Sequence, residues 1–191
     1  MKNRFILGMA AVAIALTACD DSKKEENSSS FENDIKAAVE QYVPGVVYST
    51  YNDLAAESAQ LYDLLAAAAD KGVEDLTQAD IDAICQKFLQ ARQSWEESEA
   101  FLYGAATDFG IDPHIDTWPL DVEALATALS NAEQVAALEG EDGIAYASAK
   151  LGAELLGFHG IEFILFRDGS NRSVQDLRGN EDDEAFSGKT V

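Results

Sequence analysis

Cysteine is scarce in this sequence. Its 191 residues include two cysteines, Cys19 and Cys85, so at most one disulfide can form and a fold held together by many disulfides is excluded. The stability of the protein must therefore come from packing. Cys85 lies among Ile81, Ile84 and Phe88 in "IDAICQKF", and we expect a buried, unreactive thiol there rather than a nucleophile.

Basic residues are also few. Lysine and arginine together number 13 against 35 aspartates and glutamates, which gives a formal charge of −22 at pH 7. A field of this sign repels phosphate backbones and attracts cations, so we expect no nucleic-acid partner. A surface that is acidic only for solubility has the same composition, so the charge alone does not identify a ligand.

A hydrophobic run long enough to span a bilayer is missing as well. The N-terminal apolar stretch, residues 5–16, is shorter than the usual span of about 20 residues and follows Lys2 and Arg4, as in a signal peptide. It ends in "LTAC", which resembles the bacterial lipobox, where the chain is cut before a cysteine that is then lipidated. The resemblance implies a signal peptide over 1–19 and a cell-envelope lipoprotein, periplasmic or at the cell surface, attached to the membrane through Cys19.

Alternating strand patterns of useful length are absent, so the sequence predicts an all-α protein, most simply an up-and-down four-helix bundle. Polar residues 20–33 are typical of a flexible tether. The helical bundle is predicted over 34–167, and its third and fourth helices over 120–137 and 143–166. The polar end, 168–191, is predicted to be a connector or loop.

The first two helices carry clearer signals. Apolar residues recur at a spacing close to 3.6 over 35–70, which predicts a long helix. Pro44 and Gly45 should kink or split that helix. The second helix is predicted to begin after Thr77, with Asp80 in the position that completes a capping box.

Two ionisable residues lie inside one of the most apolar runs of the mature chain, "GFHGIEFILF". His159 and Glu162 are three residues apart, so on a helix an imidazole and a carboxylate reach the same side and could bind one metal ion. Gly157 and Gly160 flank His159, and each costs about 1 kcal/mol relative to alanine inside a helix. That cost indicates close approach of another group. A histidine that is only hydrogen-bonded in the core is the alternative.

A second acidic pair lies on the preceding long helix. Glu96 and Glu99 in "RQSWEESEAF" share a helical face, and the following loop carries Asp112, His114 and Asp116. Carboxylate and imidazole ligands suit iron, zinc or manganese. The alternative is an ordinary solvated helix face, which acidic residues often form.

Both segments resemble one known family. "WEESEAFLYGAATDFGIDPHIDTWPLD" and "LGFHGIEFILF" look like the imelysin-like family, whose GxHxxE signature matches Gly157, His159 and Glu162. That family was first filed among metallopeptidases. It is also similar to the EfeO-type periplasmic iron-uptake proteins, in which two glutamates three residues apart and an Asp-Pro loop contribute to metal binding. Glu96, Glu99 and Asp112 stand in the corresponding places.

The resemblance implies two related helical bundles with a metal site at their interface. This chain stops soon after its GxHxxE helix, so we expect it to be a partial member and residues 168–191 to lead toward a second bundle that is missing. The implied ligands are His159, Glu162, Glu96, Glu99 and Asp112. The implied ion is iron first and zinc second, and the implied partner is an iron-uptake permease or an outer-membrane protein.

Three functions follow from these observations. The first is a metal-binding lipoprotein associated with iron uptake. The second is a metallopeptidase, although the chain has two histidines and neither an HExxH nor an HxxEH motif. The third is a non-catalytic binding or scaffold module in which the GxHxxE helix only packs.

Overall fold

The computed structural model describes the backbone of residues 21–180 and the side chains of residues 29–178. The predicted signal peptide and Cys19 lie outside the described residues. The chain divides into two compact units, residues 1–43 and 44–191. Among the described helices, none combines the length and the apolar character needed to cross a membrane.

The described part of the first unit is one helix, α1 (Asp21–Tyr42). It begins within the segment predicted as a flexible tether, so the structure differs from that prediction over 21–33. The lysines and glutamates at 23–26, near the start of this helix, have high helix propensity even without an apolar face to bury. The apolar side chains of Phe31, Ile35 and Val39 on α1 are exposed.

The predicted interruption of the first long helix is present. Residues Val43–Val47, which include Pro44 and Gly45, form a π-helical turn. Proline removes one backbone donor and glycine loosens the chain, so the regular hydrogen-bond ladder changes here. The α-helical pattern resumes in α2 (Tyr48–Lys71).

Helices α2 and α3 (Gln78–Ser98) make the most extensive helix pair of the second unit. The capping box predicted for α3 is confirmed, because the Thr77 side chain accepts from the Asp80 amide and the Asp80 carboxylate accepts from the Thr77 amide at 2.7 Å. Arg178 closes the loop between the two helices by donating to the carbonyl oxygens of Val73, Glu74 and Leu76.

The core of the second unit lies between α2, α3 and the helix that carries His159. Its buried members are apolar side chains that recur on one face of each helix: Leu61, Ile81, Ile84, Cys85, Phe88, Ala91, Trp95, Phe158 and Leu165. Phe88 packs edge-on against Phe158, with ring centroids 5.8 Å apart. Cys85 is fully buried and its thiol faces the carbonyl oxygen of Leu165 at 3.5 Å, as the sequence predicts.

Short helices follow α3, and after residue 120 they stand where the sequence predicts two long helices. They are α4 (Ala105–Asp108), α5 (Asp112–Ile115), α6 (Val122–Leu129), α7 (Ala132–Glu139), α8 (Gly143–Lys150) and α9 (Gly157–Leu165). The break between α6 and α7 occurs where Asn131 caps α7 by accepting from the amides of Glu133 and Gln134. Asparagine favours the cap position over a helix interior, so a new helix starts here instead of the first one continuing. The predicted all-α class is confirmed.

The described part of the chain after α9 packs against the helices of the same unit. Strands β1 (Phe166–Arg167) and β2 (Ser170–Asn171) form a two-residue antiparallel hairpin. The buried Arg172 donates to the carbonyl oxygens of Phe163 and Ile164 at the end of α9, a favourable place for a cation. This segment therefore contacts the bundle through Asn171, Val174 and Arg178. That it leads toward a second bundle stays a prediction.

Candidate metal centre

The two glycines beside His159, Gly157 and Gly160, are packed closely against backbone atoms of the same chain. A Cβ atom at Gly157, whose φ is +74°, would lie 2.4 Å from the carbonyl oxygen of Ile115. A Cβ atom at Gly160 would lie 2.7 Å from the carbonyl oxygen of Leu155. The close approach predicted from these glycines is thus made by the chain itself, and it brings the end of α5 against the first turn of α9.

This approach places Asp116 beside His159. The Asp116 side chain is 8% exposed, and its Oδ1 lies 3.1 Å from Nε2 of His159. Its Oδ2 accepts a 2.7 Å hydrogen bond from Nε1 of Trp95, which is fully buried on α3. Asp116 is therefore held between α3 and α9. The ligand set predicted from the sequence does not include Asp116, although it is the carboxylate that faces Nε2 of His159.

The predicted pair on α9 is brought together. Nδ1 of His159 lies 3.4 Å from Oε2 of Glu162, so both ring nitrogens face a carboxylate. His159 is 17% exposed, whereas Glu162 is 54% exposed. The indole of Trp118, which is largely exposed, covers the imidazole with ring centroids 4.8 Å apart.

An arginine links this histidine to the acidic pair at the end of α3, where Glu96 lies in the last turn and Glu99 directly follows the helix. The guanidinium of Arg92 pairs with Asp116 through Nη1 and with Glu96 through Nη2, and it lies 5.3 Å from the centre of the Phe158 ring. Desolvation, followed by the carboxylates of Glu96 and Asp116, raises the pKa of Glu99 above its ordinary value. Glu96 and Glu99 thus lie close enough for their charges to repel.

These contacts form one continuous chain of ionisable groups, which we call the His159 cluster: Arg92, Glu96, Glu99, Asp116, His159 and Glu162. Four carboxylates and one guanidinium leave the cluster at −3 with a neutral imidazole. Such an excess of negative charge favours a bound cation.

Two other predicted donors lie outside the His159 cluster. Asp112 is exposed in the first turn of α5, where its backbone carbonyl accepts from the amide of Asp116 at 2.9 Å. His114 is exposed, and its Nδ1 lies 2.6 Å from the carbonyl oxygen of Gly110. The loop therefore contributes Asp116 to the cluster, and the side chains of Asp112 and His114 make no contact that brings them into it.

The donor types of the His159 cluster suit iron or zinc, since both accept imidazole and carboxylate ligands. Its geometry is nevertheless not that of a metal cage. Among the described side chains, those of residues 29–178, no three histidines, cysteines, aspartates or glutamates converge as a metal site would require. Both oxygens of Asp116 are already engaged, by Arg92, His159 and Trp95. In this structure the guanidinium of Arg92 is the cation that pairs with the carboxylates of Asp116 and Glu96.

Sequence reasoning missed Arg92 and did not select Asp116. Arg92 precedes Glu96 by four residues, a spacing that favours a helical ion pair, so a signal for its contact with Glu96 was present. Asp116 was noted as a loop donor, but only the fold of residues 99–118 decides which loop carboxylate reaches His159.

The fold and the His159 cluster define a helical protein with an imidazole–carboxylate centre. Residues 20–187 match the model of the imelysin family (Peptidase_M75), and the chain belongs to this family. The match covers most of the sequence, including both segments that carry the resemblance. It confirms the family expected from "GFHGIEFILF" and from the acidic segment before it.

Individual relatives agree. The chain is 31% identical over 160 residues to iron-regulated protein A of Synechococcus elongatus, covering 84% of this chain and 37% of that protein. It is similar to the crystal structure of an imelysin peptidase from Bacteroides ovatus, with 36% identity and a TM-score of 0.58 over 71% of this chain and 37% of the other. A putative iron-regulated protein A precursor from Parabacteroides distasonis gives 30% identity and a TM-score of 0.60 over 75% and 37%. This chain thus spans little more than a third of the length of these relatives.

Proposed function

We propose that this protein binds iron in the cell envelope through the His159 cluster, as part of iron uptake. The observation that carries the proposal is the chain of contacts from Glu99 to Glu162, in which carboxylates outnumber the one guanidinium. Negative charge left over in a partly desolvated cluster is neutralised by a cation, and oxygen and imidazole donors favour iron or zinc over soft ions.

The names of two relatives support iron over zinc. The proteins from Synechococcus elongatus and Parabacteroides distasonis are both called iron-regulated protein A. Their names state regulation by iron, and for this reason the proposal places iron before zinc. In this proposal iron is cargo, zinc is the competing ion, and the next partner is an iron-uptake permease or an outer-membrane protein.

The proposed ligands are supported by different amounts of evidence. His159 and Glu162 are the primary ligands, because they lie on one turn of α9 and match the family signature. We add Asp116, because its Oδ1 lies 3.1 Å from Nε2 of His159, and we propose that Glu96 and Glu99 supply further oxygens. Since Asp112 lies outside the His159 cluster, we assign it no direct part in binding.

The two histidines of the chain provide a matched test. His159→Ala removes the imidazole of the cluster, whereas His114→Ala removes an exposed imidazole that lies outside it. We expect calorimetry with ferrous iron, ferric iron and zinc to show binding to the wild type and His114→Ala, and its loss in His159→Ala. Circular dichroism would verify that both variants stay helical. Equal affinity in His159→Ala and the wild type would rule out the His159 cluster as the binding site.

The location of the protein is part of the same proposal. Lipidation of Cys19, with the chain cut directly before it, would anchor the protein at the membrane surface, on the periplasmic face or outside the cell. We expect radiolabelled palmitate to enter the wild type and not Cys19→Ala, and Cys19→Ala to leave the membrane fraction. Absence of label in the wild type would contradict the anchor.

A peptidase activity is the second candidate, favoured by the name of the Bacteroides ovatus relative. A zinc hydrolase needs an ion with an open coordination position and a general base beside it. Hydrolysis of casein by the wild type, lost in both His159→Ala and Glu162→Gln, would support this candidate. Iron binding without hydrolysis would support the first.

A further inference from the structure

We propose that Arg92 is a resident counter-ion of the His159 cluster and that a metal ion binds in competition with it. This inference rests on the proposed function and adds a specificity-determining residue to the same site. Arg92 is the only cationic side chain in the His159 cluster, where it neutralises Asp116 and Glu96 when no metal is bound.

The placement of Arg92 is well defined. Its side chain is 22% exposed, and its guanidinium reaches Asp116 with one terminal nitrogen and Glu96 with the other. The ring of Phe158, 5.3 Å from the guanidinium carbon, packs against it from the core. A planar guanidinium with several fixed donors suits this bridging of two carboxylates better than the single ammonium of a lysine does.

Competition follows from the shared oxygens. Oδ1 of Asp116 faces both Arg92 and Nε2 of His159, while Oδ2 is held by Trp95. A metal ion that takes Asp116 and His159 together must occupy the space where that oxygen now meets the guanidinium. A divalent or trivalent ion beside a fixed positive charge is also repelled, and the repulsion is strong where solvent is partly excluded.

Arg92 thereby lowers the affinity of the His159 cluster for metal ions. Removing its charge leaves Asp116 and Glu96 without a counter-ion, so the metal-free protein loses stability while the affinity for cations rises. A bound metal ion would then restore the favourable charge interaction that Asp116 and Glu96 lose when the guanidinium is removed. A purely structural arginine would instead stabilise the arrangement that binds the metal, and its removal would weaken binding.

The experiment compares Arg92→Gln with Lys87→Gln. Lys87 also lies on α3 and carries the same charge but is not part of the His159 cluster. Calorimetry with zinc and ferrous iron is combined with thermal unfolding in chelator and in excess metal. We expect Arg92→Gln to bind at least about tenfold more tightly than the wild type, to melt lower in chelator and to regain the difference with metal. Lys87→Gln should match the wild type in each measurement.

The outcomes separate this inference from the proposed function. Binding by the wild type with unchanged or weaker binding by Arg92→Gln overturns the competition and leaves the proposed function standing. If Arg92→Gln binds metal and the wild type does not, the result supports competition and contradicts the proposed function of the wild-type protein. Absence of binding in both proteins overturns both proposals.

A second variant keeps the test decisive if Arg92→Gln fails to fold. Arg92→Lys retains the charge but cannot bridge Asp116 and Glu96 in the same way. Its expected affinity lies between those of the wild type and a variant without the charge, so it should bind more tightly than the wild type. Weaker binding by Arg92→Lys would show that the guanidinium positions the carboxylates for the metal, which contradicts competition.

Discussion

Oδ1 of Asp116 lies 3.1 Å from Nε2 of His159, although three helices, α6 to α8, separate the two residues along the chain. The contact exists because α9 begins with a glycine against which the backbone of Ile115 packs. It fixes the imidazole between two carboxylates, since Glu162 faces the other ring nitrogen. The chemistry of the GxHxxE helix is therefore shared with the loop before α6.

The first prediction concerns Asp116. Asp116→Asn removes the nearly buried charge that pairs with Arg92 and faces His159. We expect a loss of about 1–3 kcal/mol in the free energy of unfolding, because Arg92 keeps only the more exposed Glu96 as a counter-ion. Urea unfolding followed by circular dichroism measures the loss. Asp112→Asn is the control, since that carboxylate is exposed and outside the cluster. Equal stability of the two variants would contradict the role given to Asp116.

The second prediction concerns the approach of the loop to α9. Gly157→Ala adds a Cβ that would lie 2.4 Å from the carbonyl oxygen of Ile115, at a φ of +74°. Gly169 has the same φ but nothing within 4 Å of its Cβ position, so Gly169→Ala isolates the backbone strain. We expect strain of about 1–3 kcal/mol in both variants, with a further loss in Gly157→Ala from the clash. Similar melting temperatures would show that α5 and α9 separate freely.

The third prediction concerns the pH dependence of stability. The pKa of Glu99 in the folded protein is raised above its ordinary value of 4.5, first by desolvation and then by Glu96. The native state therefore holds this proton more tightly than the unfolded chain, so the contribution of Glu99 to stability falls as pH rises from 4.5 through the raised pKa. We expect Glu99→Gln to exceed the wild type in stability at pH 7 and to lose this advantage below pH 4.5. The melts are run with chelator.

Glu97→Gln serves as the control for that experiment. Glu97 lies in the last turn of α3, two residues before Glu99, is exposed and accepts a hydrogen bond from the side chain of Gln93. Its replacement removes the same charge from the protein without changing the His159 cluster. If both variants show the same pH profile, the effect belongs to the net charge of the protein and not to the repulsion between Glu96 and Glu99.

The fourth prediction concerns Cys85. Desolvation, followed by the charge of Asp82, raises the pKa of the Cys85 thiol to about 11. In a Cys19→Ala background Cys85 is the sole thiol of the chain, and we expect it to resist a disulfide reagent at pH 8 in the native state. It should react completely in denaturant, because unfolding restores solvent and an ordinary pKa. Rapid reaction of the folded protein would indicate that the core between α2, α3 and α9 opens frequently.

Local patterns predicted the parts of the fold that depend on neighbouring residues. The start of α3 followed from Thr77 and Asp80, because a capping box is completed within one turn. The burial of Cys85 followed from its apolar neighbours on one helical face. The breaks between α6 and α7 and between α8 and α9 were not predicted, because their apolar residues continue a helical period. Asn131, which caps α7, was a local signal for the first of these breaks.

The sequence by itself determined the helical class, the family and the pairing of His159 with Glu162, because helical spacing alone puts those two side chains on one turn. The tertiary structure decided which groups complete the cluster. Asp116 reaches His159, and Asp112 does not, because Gly157 lets the backbone of Ile115 pack against α9. Arg92 bridges α3 and the loop because its partners Glu96 and Asp116 come together only after the helices pack. Helical periodicity sets the neighbours along one helix, whereas contacts between a helix and a distant loop depend on the packing of backbone and core.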